Sequence, residues 1–247
     1  MENTGDRCSQ AAAIDYHGQS RRAGELHCDF FDFVPFPDGS LLFFLGDIAG
    51  YGHSAKMVAA GIGDLLRSSG GGELKSRVEE INRSVCDLSP NGLYVTLFCA
   101  FADPRRNQLT YVNAGHEPAI LLSGRSRRLR RLENTGTVLG LTARLAYRQH
   151  TLRAEPGDLV AAFSDGVSEA VGPRGDEFRE DGVLRIVRQH TEAPAAQLCA
   201  TILEAAGQFA GSDPADDQTV AIVRFRDSAA RNPQLRKDAA ELAVAAA

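Results

Sequence analysis

Four places in the sequence set an aspartate at the end of a short apolar run. They are Asp29 and Asp32 in Cys28-Asp29-Phe30-Phe31-Asp32, Asp47 in Gly46-Asp47-Ile48-Ala49-Gly50, Asp165 in Ser164-Asp165-Gly166, and the pair Asp216-Asp217 ahead of Gln218-Thr219. Each alone has an ordinary explanation, because Asp-Gly and Asp-Asp are common in turns and caps. As a set they suggest more, since carboxylates that end several strands can point into one cleft. Two carboxylates ~4 Å apart repel by about 1 to 4 kcal/mol depending on the effective dielectric, so such a cluster usually exists because cations neutralise it. Oxygen donors with little imidazole or thiolate nearby in sequence favour magnesium or manganese over zinc or copper.

Other candidates are weaker. His53 follows Gly50-Tyr51-Gly52 and could reach the cleft or simply begin a helix, while His116 in Asn113-Ala114-Gly115-His116 is better suited to fixing a tight turn by side-chain hydrogen bonds. Cys99 and Arg105 have the Cys-x5-Arg spacing of cysteine phosphatases, but the residues between them contain no glycine and include Asp103 and Pro104 where a phosphate cradle needs donors. The Gly50-x-Gly52 loop lacks the rest of a nucleotide-binding motif, which leaves weak anion binding at a helix start.

The elements that must position these residues follow from the hydrophobic pattern. Residues 11–47 read as strands, with 41–45 forming the second arm of a hairpin after Pro37-Asp38-Gly39. Met57, Ile62, Leu65 and Leu66 predict a buried helix ending at Gly70-Gly71-Gly72, and Leu74, Val78, Ile81 and Val85 predict a second over residues 73–88. Residues 95–101, 109–113, 119–122 and 129–132 predict a strand meander. Residues 159–163 form a further strand, followed by a glycine-containing loop, helices near 182–189 and 195–209, and a last strand over 219–225. Runs of strands separated by helix pairs predict an α+β fold of antiparallel sheets covered by helices.

Composition excludes several classes. The 247 residues are 43% hydrophobic and 24% charged, which is globular usage. A net charge of -5 and the absence of a sustained basic face argue against nucleic acid as a partner. The basic run Arg125, Arg127, Arg128, Arg130 and Arg131 alternates with Leu129 and Leu132 and suits a solvated strand edge. Cys8, Cys28, Cys86, Cys99 and Cys199 are dispersed and unpaired at metal spacing, as free thiols in a reducing compartment would be. Residues 1–10 are polar and acidic, and no apolar stretch approaches the ~20 residues of a membrane span, so a cytoplasmic protein without membrane contact is expected.

The same residues carry a family resemblance. The sequence resembles the 2C-type metal-dependent protein phosphatases, in particular their bacterial branch of sporulation stage II E and RsbU-like serine phosphatases. The likeness runs over about residues 24–226 in five blocks that keep the family's order. These are Asp29-Phe30-Phe31-Asp32, Gly46-Asp47-Ile48-Ala49-Gly50-Tyr51-Gly52, Asn113-Ala114-Gly115-His116-Glu117-Pro118, Ser164-Asp165-Gly166-Val167-Ser168-Glu169-Ala170, and Asp216-Asp217-Gln218-Thr219.

The resemblance implies a four-layer α-β-β-α sandwich, a single phosphatase domain over residues 8–227 and an Ala-rich charged tail over 228–247. It also implies two manganese or magnesium ions at one end of the sheets. By position, Asp47 would bridge the ions, Asp29, Asp165 and Asp216 would complete the shells with the backbone carbonyl of Ile48, and Asp217 would stand behind the ligands. Two ions about 3.5 to 4 Å apart can activate a shared water and clamp a phosphoryl oxygen, so no protein nucleophile is needed. Two departures stand out: His27-Cys28 replaces the common Gly-Gly, and Ala49 replaces a histidine found in larger eukaryotic relatives.

The implied activity is serine/threonine phosphoprotein hydrolysis, with a STAS-type anti-sigma-factor antagonist as substrate. Control would come from a separate regulatory protein or from self-association as a homodimer, with the helix pair over residues 53–88 as the landing surface. A catalytically silent partner-binding relative and a small-molecule phosphohydrolase are the alternatives. Retention of all four carboxylates speaks against the silent one.

Overall fold

The computed structural model describes residues 13–23, 29–49, 53–68, 72–88, 93–211 and 213–226, with backbone only at 53 and 54. In chain order the elements are β1 (Ile14–Arg21), β2 (Phe30–Pro35), β3 (Leu41–Ala49), α1 (His53–Ser68), α2 (Leu74–Leu88), β4 (Tyr94–Asp103), β5 (Gln108–Ala114), β6 (Ala119–Leu122) and β7 (Leu129–Leu132). They continue with β8 (His150–Arg153), β9 (Leu159–Phe163), α3 (Asp165–Ser168), α4 (Arg179–Gln189), α5 (Ala195–Ala210) and β10 (Gln218–Phe225).

Strict alternation along the strands builds the layers. In β3, Leu41, Phe43 and Leu45 belong to one buried cluster while Leu42, Phe44 and Ile48 belong to another. The first cluster also takes Phe98 and Ala100 from β4, Val160 and Ala162 from β9, and Ala221, Val223 and Phe225 from β10, so it lies between two sheets. The second is closed by Val58, Ile62 and Leu66 of α1 and Val78, Ile81 and Val85 of α2. A third packs Val183 and Val187 of α4 and Leu198, Ile202 and Ala206 of α5 on the outer face of β9 and β10. The order is therefore helices, sheet, sheet, helices, the expected α-β-β-α sandwich. One antiparallel sheet runs β1-β10-β9-β6-β7 and the other β2-β3-β4-β5-β8.

The β2–β3 hairpin turns where expected, because Gly39 takes φ 84° and the Asp38 carboxylate accepts the Ser40 N–H at 3.0 Å. The predicted meander does not form as one sheet. β4 and β5 pair in the second sheet, then the chain crosses at Gly115 to Pro118, and β6 and β7 pair in the first. Met57 is 59% exposed, so the buried stripe of α1 is Ala55, Val58, Ile62 and Leu66. The basic run lies at the free edge strand β7, with Arg128, Arg130 and Arg131 exposed. Residues 8–12 and the tail 228–247 lie outside the described residues, as do Gly50 to Gly52, His27 and Cys28. Among the described residues no helix is long and apolar enough to cross a membrane.

Candidate active site

The strand phase that fills the core also aims the candidate carboxylates. In β3, Asp47 continues the two-residue step of the inner-face residues Phe43 and Leu45. Asp29 precedes Phe31 and Phe33 of β2 by the same step, so both acids extend the inner face beyond the core. Ser164 and Thr219 do the same for β9 and β10. Antiparallel pairing brings the start of β2 beside the end of β3, with Phe30 opposite Gly46, and the end of β9 beside the start of β10, with Phe163 opposite Val220.

Hydrogen bonds lock the second of these pairs of strand ends. The Ser164 N–H donates to the Thr219 carbonyl at 3.0 Å, the Thr219 N–H donates to Ser164 Oγ at 3.0 Å, and Ser164 Oγ donates to the Asp217 carbonyl at 3.1 Å. Gly166 opens α3 against this segment; a Cβ there would lie 2.2 Å from the Asp217 carbonyl oxygen, so the approach requires glycine. α3 is a single turn where the sequence pattern predicts only a loop, and it starts at Asp165, whose carboxylate accepts the Gly166 N–H at 2.8 Å.

The electrostatics show which acids are neighbours. Burial, then the charges of Asp165 and Asp216, push the Asp47 carboxyl up to about 6. Burial, then Asp216, raises Asp165 as well. Asp29 is held well above the usual carboxylate range, first by burial and also by Asp47 and Asp217, while hydrogen bonding with Thr219 and Ser164 pulls the other way. Asp29 Oδ2 is buried without a hydrogen-bond partner among the described residues. Asp29, Asp47, Asp165, Asp216 and Asp217 thus share one electrostatic neighbourhood, with Asp29 coupled to Asp47 and Asp217. Still, among the described residues no three His, Cys, Asp or Glu side chains form a ready-made metal cage.

Asp217 and Asp32 also have protein partners of their own. Asp217 is 3% exposed and its Oδ1 accepts the Ala23 N–H at 2.9 Å, whereas Asp216 is exposed and its Oδ1 accepts the Asp217 N–H at 2.7 Å. Asp32 faces the helices and forms a salt bridge with Arg67 of α1, so it docks that helix. Cys99 is fully buried with its thiol pushed up to about 12, and Arg105 pairs with Asp38 at the β2–β3 turn, which disposes of the cysteine-phosphatase reading. The side chain of His53 lies outside the described residues.

His116 does more than hold its own turn. The turn is fixed by Asn113, whose Oδ1 accepts the His116 N–H at 2.9 Å. The ring is buried and its Nδ1 lies 2.9 Å from Thr96 Oγ1, which in turn accepts the Asp47 N–H at 3.3 Å. Two further acids join the neighbourhood: Glu117 and Glu169 are both raised, by burial first and then by Asp165. Glu117 and Glu169 were visible as members of motif blocks, but nothing in their spacing assigned them to the cluster; Thr96 carried no signal at all.

Residues 37–226 match the family described as stage II sporulation protein E (SpoIIE). The chain is 27% identical over 222 residues to the phosphoserine phosphatase RsbU of Bacillus subtilis, covering 89% of this chain and 66% of that one, just under two thirds of its length. Its fold is similar to the SiaA-PP2C domain of Pseudomonas aeruginosa, with a TM-score of 0.74, 19% identity and 85% of each chain covered. It is also similar to the catalytic domain of the serine/threonine protein phosphatase PstP solved with two manganese ions, with a TM-score of 0.63, 18% identity, and 87% of this chain and 99% of that one covered.

Proposed function

The chain belongs to the stage II sporulation protein E family, the RsbU/SpoIIE-like branch of the 2C-type phosphatases, and from that premise we propose that it is a metal-dependent serine/threonine phosphoprotein phosphatase. The observation that supports this most is the sharing of one neighbourhood by Asp47, Asp165 and Asp216, with Asp29 beside it. Such a site suits hard divalent cations. Its donors are oxygens, its carboxylates favour protonation because they are buried and also crowd one another, and Asp29 Oδ2 has no hydrogen-bond partner among the described residues. Asp29, Asp47, Asp165, Asp216 and the Ile48 carbonyl would hold two manganese or magnesium ions.

Bound there, the ions would supply Lewis acidity and lower the pKa of a water for attack on the phosphomonoester. The protein's own groups set the frame. Ser164 and Thr219 tie β9 to β10, Gly166 lets α3 close on Asp217, and Thr96 holds the Asp47 backbone. Asp217 anchors the segment at Ala23. Direct attack by a metal-activated water is the step this arrangement suits.

The working unit would be one domain over residues 8–227, in the cytoplasm, acting on a phosphorylated STAS-type protein, with control by a second protein or by homodimerisation. The test is manganese-dependent release of phosphate from a phosphoserine STAS protein, a phosphoserine peptide, an aryl phosphate and a panel of nucleotides and sugar phosphates. Turnover of the phosphoprotein abolished by chelator is expected. Turnover that survives chelation refutes the metal, and a preference for small phosphates refutes the protein substrate.

A further inference from the structure

Thr96 and His116 join the two sheets beside Asp47, and neither has a role in the reading above beyond contact with the backbone. Thr96 lies on β4 opposite Asp47 of β3, and its hydroxyl oxygen accepts the Asp47 N–H at 3.3 Å. The Asp47 amide therefore has a side-chain contact in addition to the pairing of Asp47 with Thr96 in the sheet. The same hydroxyl lies 2.9 Å from His116 Nδ1 and shares one hydrogen with it.

His116 is equally constrained. It sits in the crossing between β5 of one sheet and β6 of the other, 4% exposed, with its own N–H held by Asn113 Oδ1 and the Asn113 amide donating to the Leu132 carbonyl at 3.2 Å. Burial holds the ring neutral, with a pKa lowered to about 4, and the backbone of Phe163 at the end of β9 acts in the opposite direction. A neutral ring that accepts at Nδ1 carries its proton at Nε2. Two proton orders satisfy these contacts: Thr96 O–H donates to His116 Nδ1 with the ring proton on Nε2, or Nδ1–H donates to Thr96 Oγ1, which then accepts twice; in both, Thr96 Oγ1 accepts the Asp47 N–H. Nε2 itself is buried without a hydrogen-bond partner among the described residues.

We propose that Thr96 and His116 are positioning residues, a hydroxyl–imidazole couple that fixes the backbone of Asp47 and its spacing from the β9 strand end, and thereby the separation of Asp47 from Asp165. The inference rests on the metal-site reading above. Groups behind metal ligands commonly change metal affinity by 10- to 100-fold when removed, because they set the ligand's orientation before the ion arrives.

The experiment uses the full chain with Thr96→Val, which keeps the shape and removes the hydroxyl, Thr96→Ser, which restores it, and His116→Gln. Manganese affinity is measured by calorimetry, the melting temperature in chelator, and aryl phosphate turnover at saturating manganese. The expected result is manganese binding weakened roughly 10-fold or more in Thr96→Val and recovered to within roughly 3-fold in Thr96→Ser. The Thr96→Val and His116→Gln losses should not add in the double variant, since both break one couple. A purely structural role would lower the melting temperature and leave affinity unchanged. Wild-type affinity in Thr96→Val overturns the couple alone. If the wild-type protein binds no manganese, the metal-site reading falls and takes this inference with it.

Discussion

Replacing Asp216 and Asp217 one at a time should separate two adjacent carboxylates by sign as well as by size. Asp217 is buried and accepts the Ala23 N–H at 2.9 Å, so Asp217→Ala strands that donor. A hydrogen bond to a charged group contributes about 1.5 to 3 kcal/mol. At about 2 to 4 °C per kcal/mol for a chain of this size, the metal-free melting temperature should fall by roughly 3 to 12 °C. Asp216 is exposed, and its charge pushes Asp47, Asp165 and Glu169 toward their protonated forms. Asp216→Asn keeps an oxygen for the Asp217 N–H while removing that repulsion. Exposed charge pairs are worth about 0 to 1 kcal/mol, so the metal-free variant should melt at the wild-type temperature or up to roughly 4 °C above it. Saturating manganese should reverse the order if Asp216 is the ligand proposed above, because Asp216→Asn removes it. Scanning calorimetry in chelator and in manganese reads both arms, and titration calorimetry gives the affinities. Metal-free destabilisation by Asp216→Asn as large as that by Asp217→Ala, or equal losses of manganese affinity, would refute the assignment and shift the ligand by one residue.

Asp47→Asn should lower phosphatase turnover by orders of magnitude with an unchanged circular dichroism spectrum, and a near-normal rate would remove Asp47 from the site. The Asp47 carboxyl rises from 3.8 to about 6 on folding, so its contribution to metal-free stability is present below pH 3.8 and is lost as pH rises through 6. Denaturation in chelator should therefore show the wild type losing stability relative to Asp47→Asn between about pH 4 and about pH 6.5, and parallel curves would contradict the shift. Gly166→Ala drives a methyl to 2.2 Å from the Asp217 carbonyl, which should cost about 1 to 3 kcal/mol and weaken manganese binding together; unchanged affinity would separate α3 from the site. On the helix pair, Lys75→Glu should alter phosphoprotein turnover while sparing an aryl phosphate, since Lys75 meets only Glu73 at 2.9 Å among its described ion pairs; equal effects on both substrates would exclude that surface. Arg77 is unsuited to that test because its Nε is buried.

The layers were legible because one face of each strand had to be apolar. The alternation in Leu41 to Leu45 and the stripe Leu74, Val78, Ile81 and Val85 leave little choice of partner. What stayed hidden was set by tertiary contact. Met57 fits the helical period of α1 but falls outside the face that packs against β2 and α2, and only the docking angle could show that. β8 escaped notice because His150, Thr151 and Arg153 are exposed and Leu152 is its one buried residue. The break in the meander depends on where the chain crosses between sheets, which the strand pattern does not encode. The site was half legible for the same reason. Carboxylates at strand ends announce themselves, whereas Thr96, His116, Ser164 and Thr219 use ordinary hydroxyl and imidazole groups whose partners are 20 to 199 residues away.

The convergence of the carboxylates follows from register and phase together. β2 and β3 form a hairpin, so Asp29 before one and Asp47 near the end of the other must lie at the same end. β9 and β10 are antiparallel neighbours, so Asp165 after one and Asp216 before the other must do likewise. The electrostatic coupling of Asp47 to Asp165 and Asp216, and the bonding of Asp29 with Ser164 and Thr219, show that the two ends face each other across the sandwich. Phase then decides the outcome. A one-residue slip of β3 would turn Asp47 toward α1 and Ile48 toward the opposite sheet, and would also move Phe43 out of the inter-sheet core, so the core that stabilises the fold fixes the direction of the carboxylate. Selection for a packed inter-sheet core therefore also holds the acids in place, and the burial and charge repulsion that raise Asp29, Asp47 and Asp165 are borne by that core.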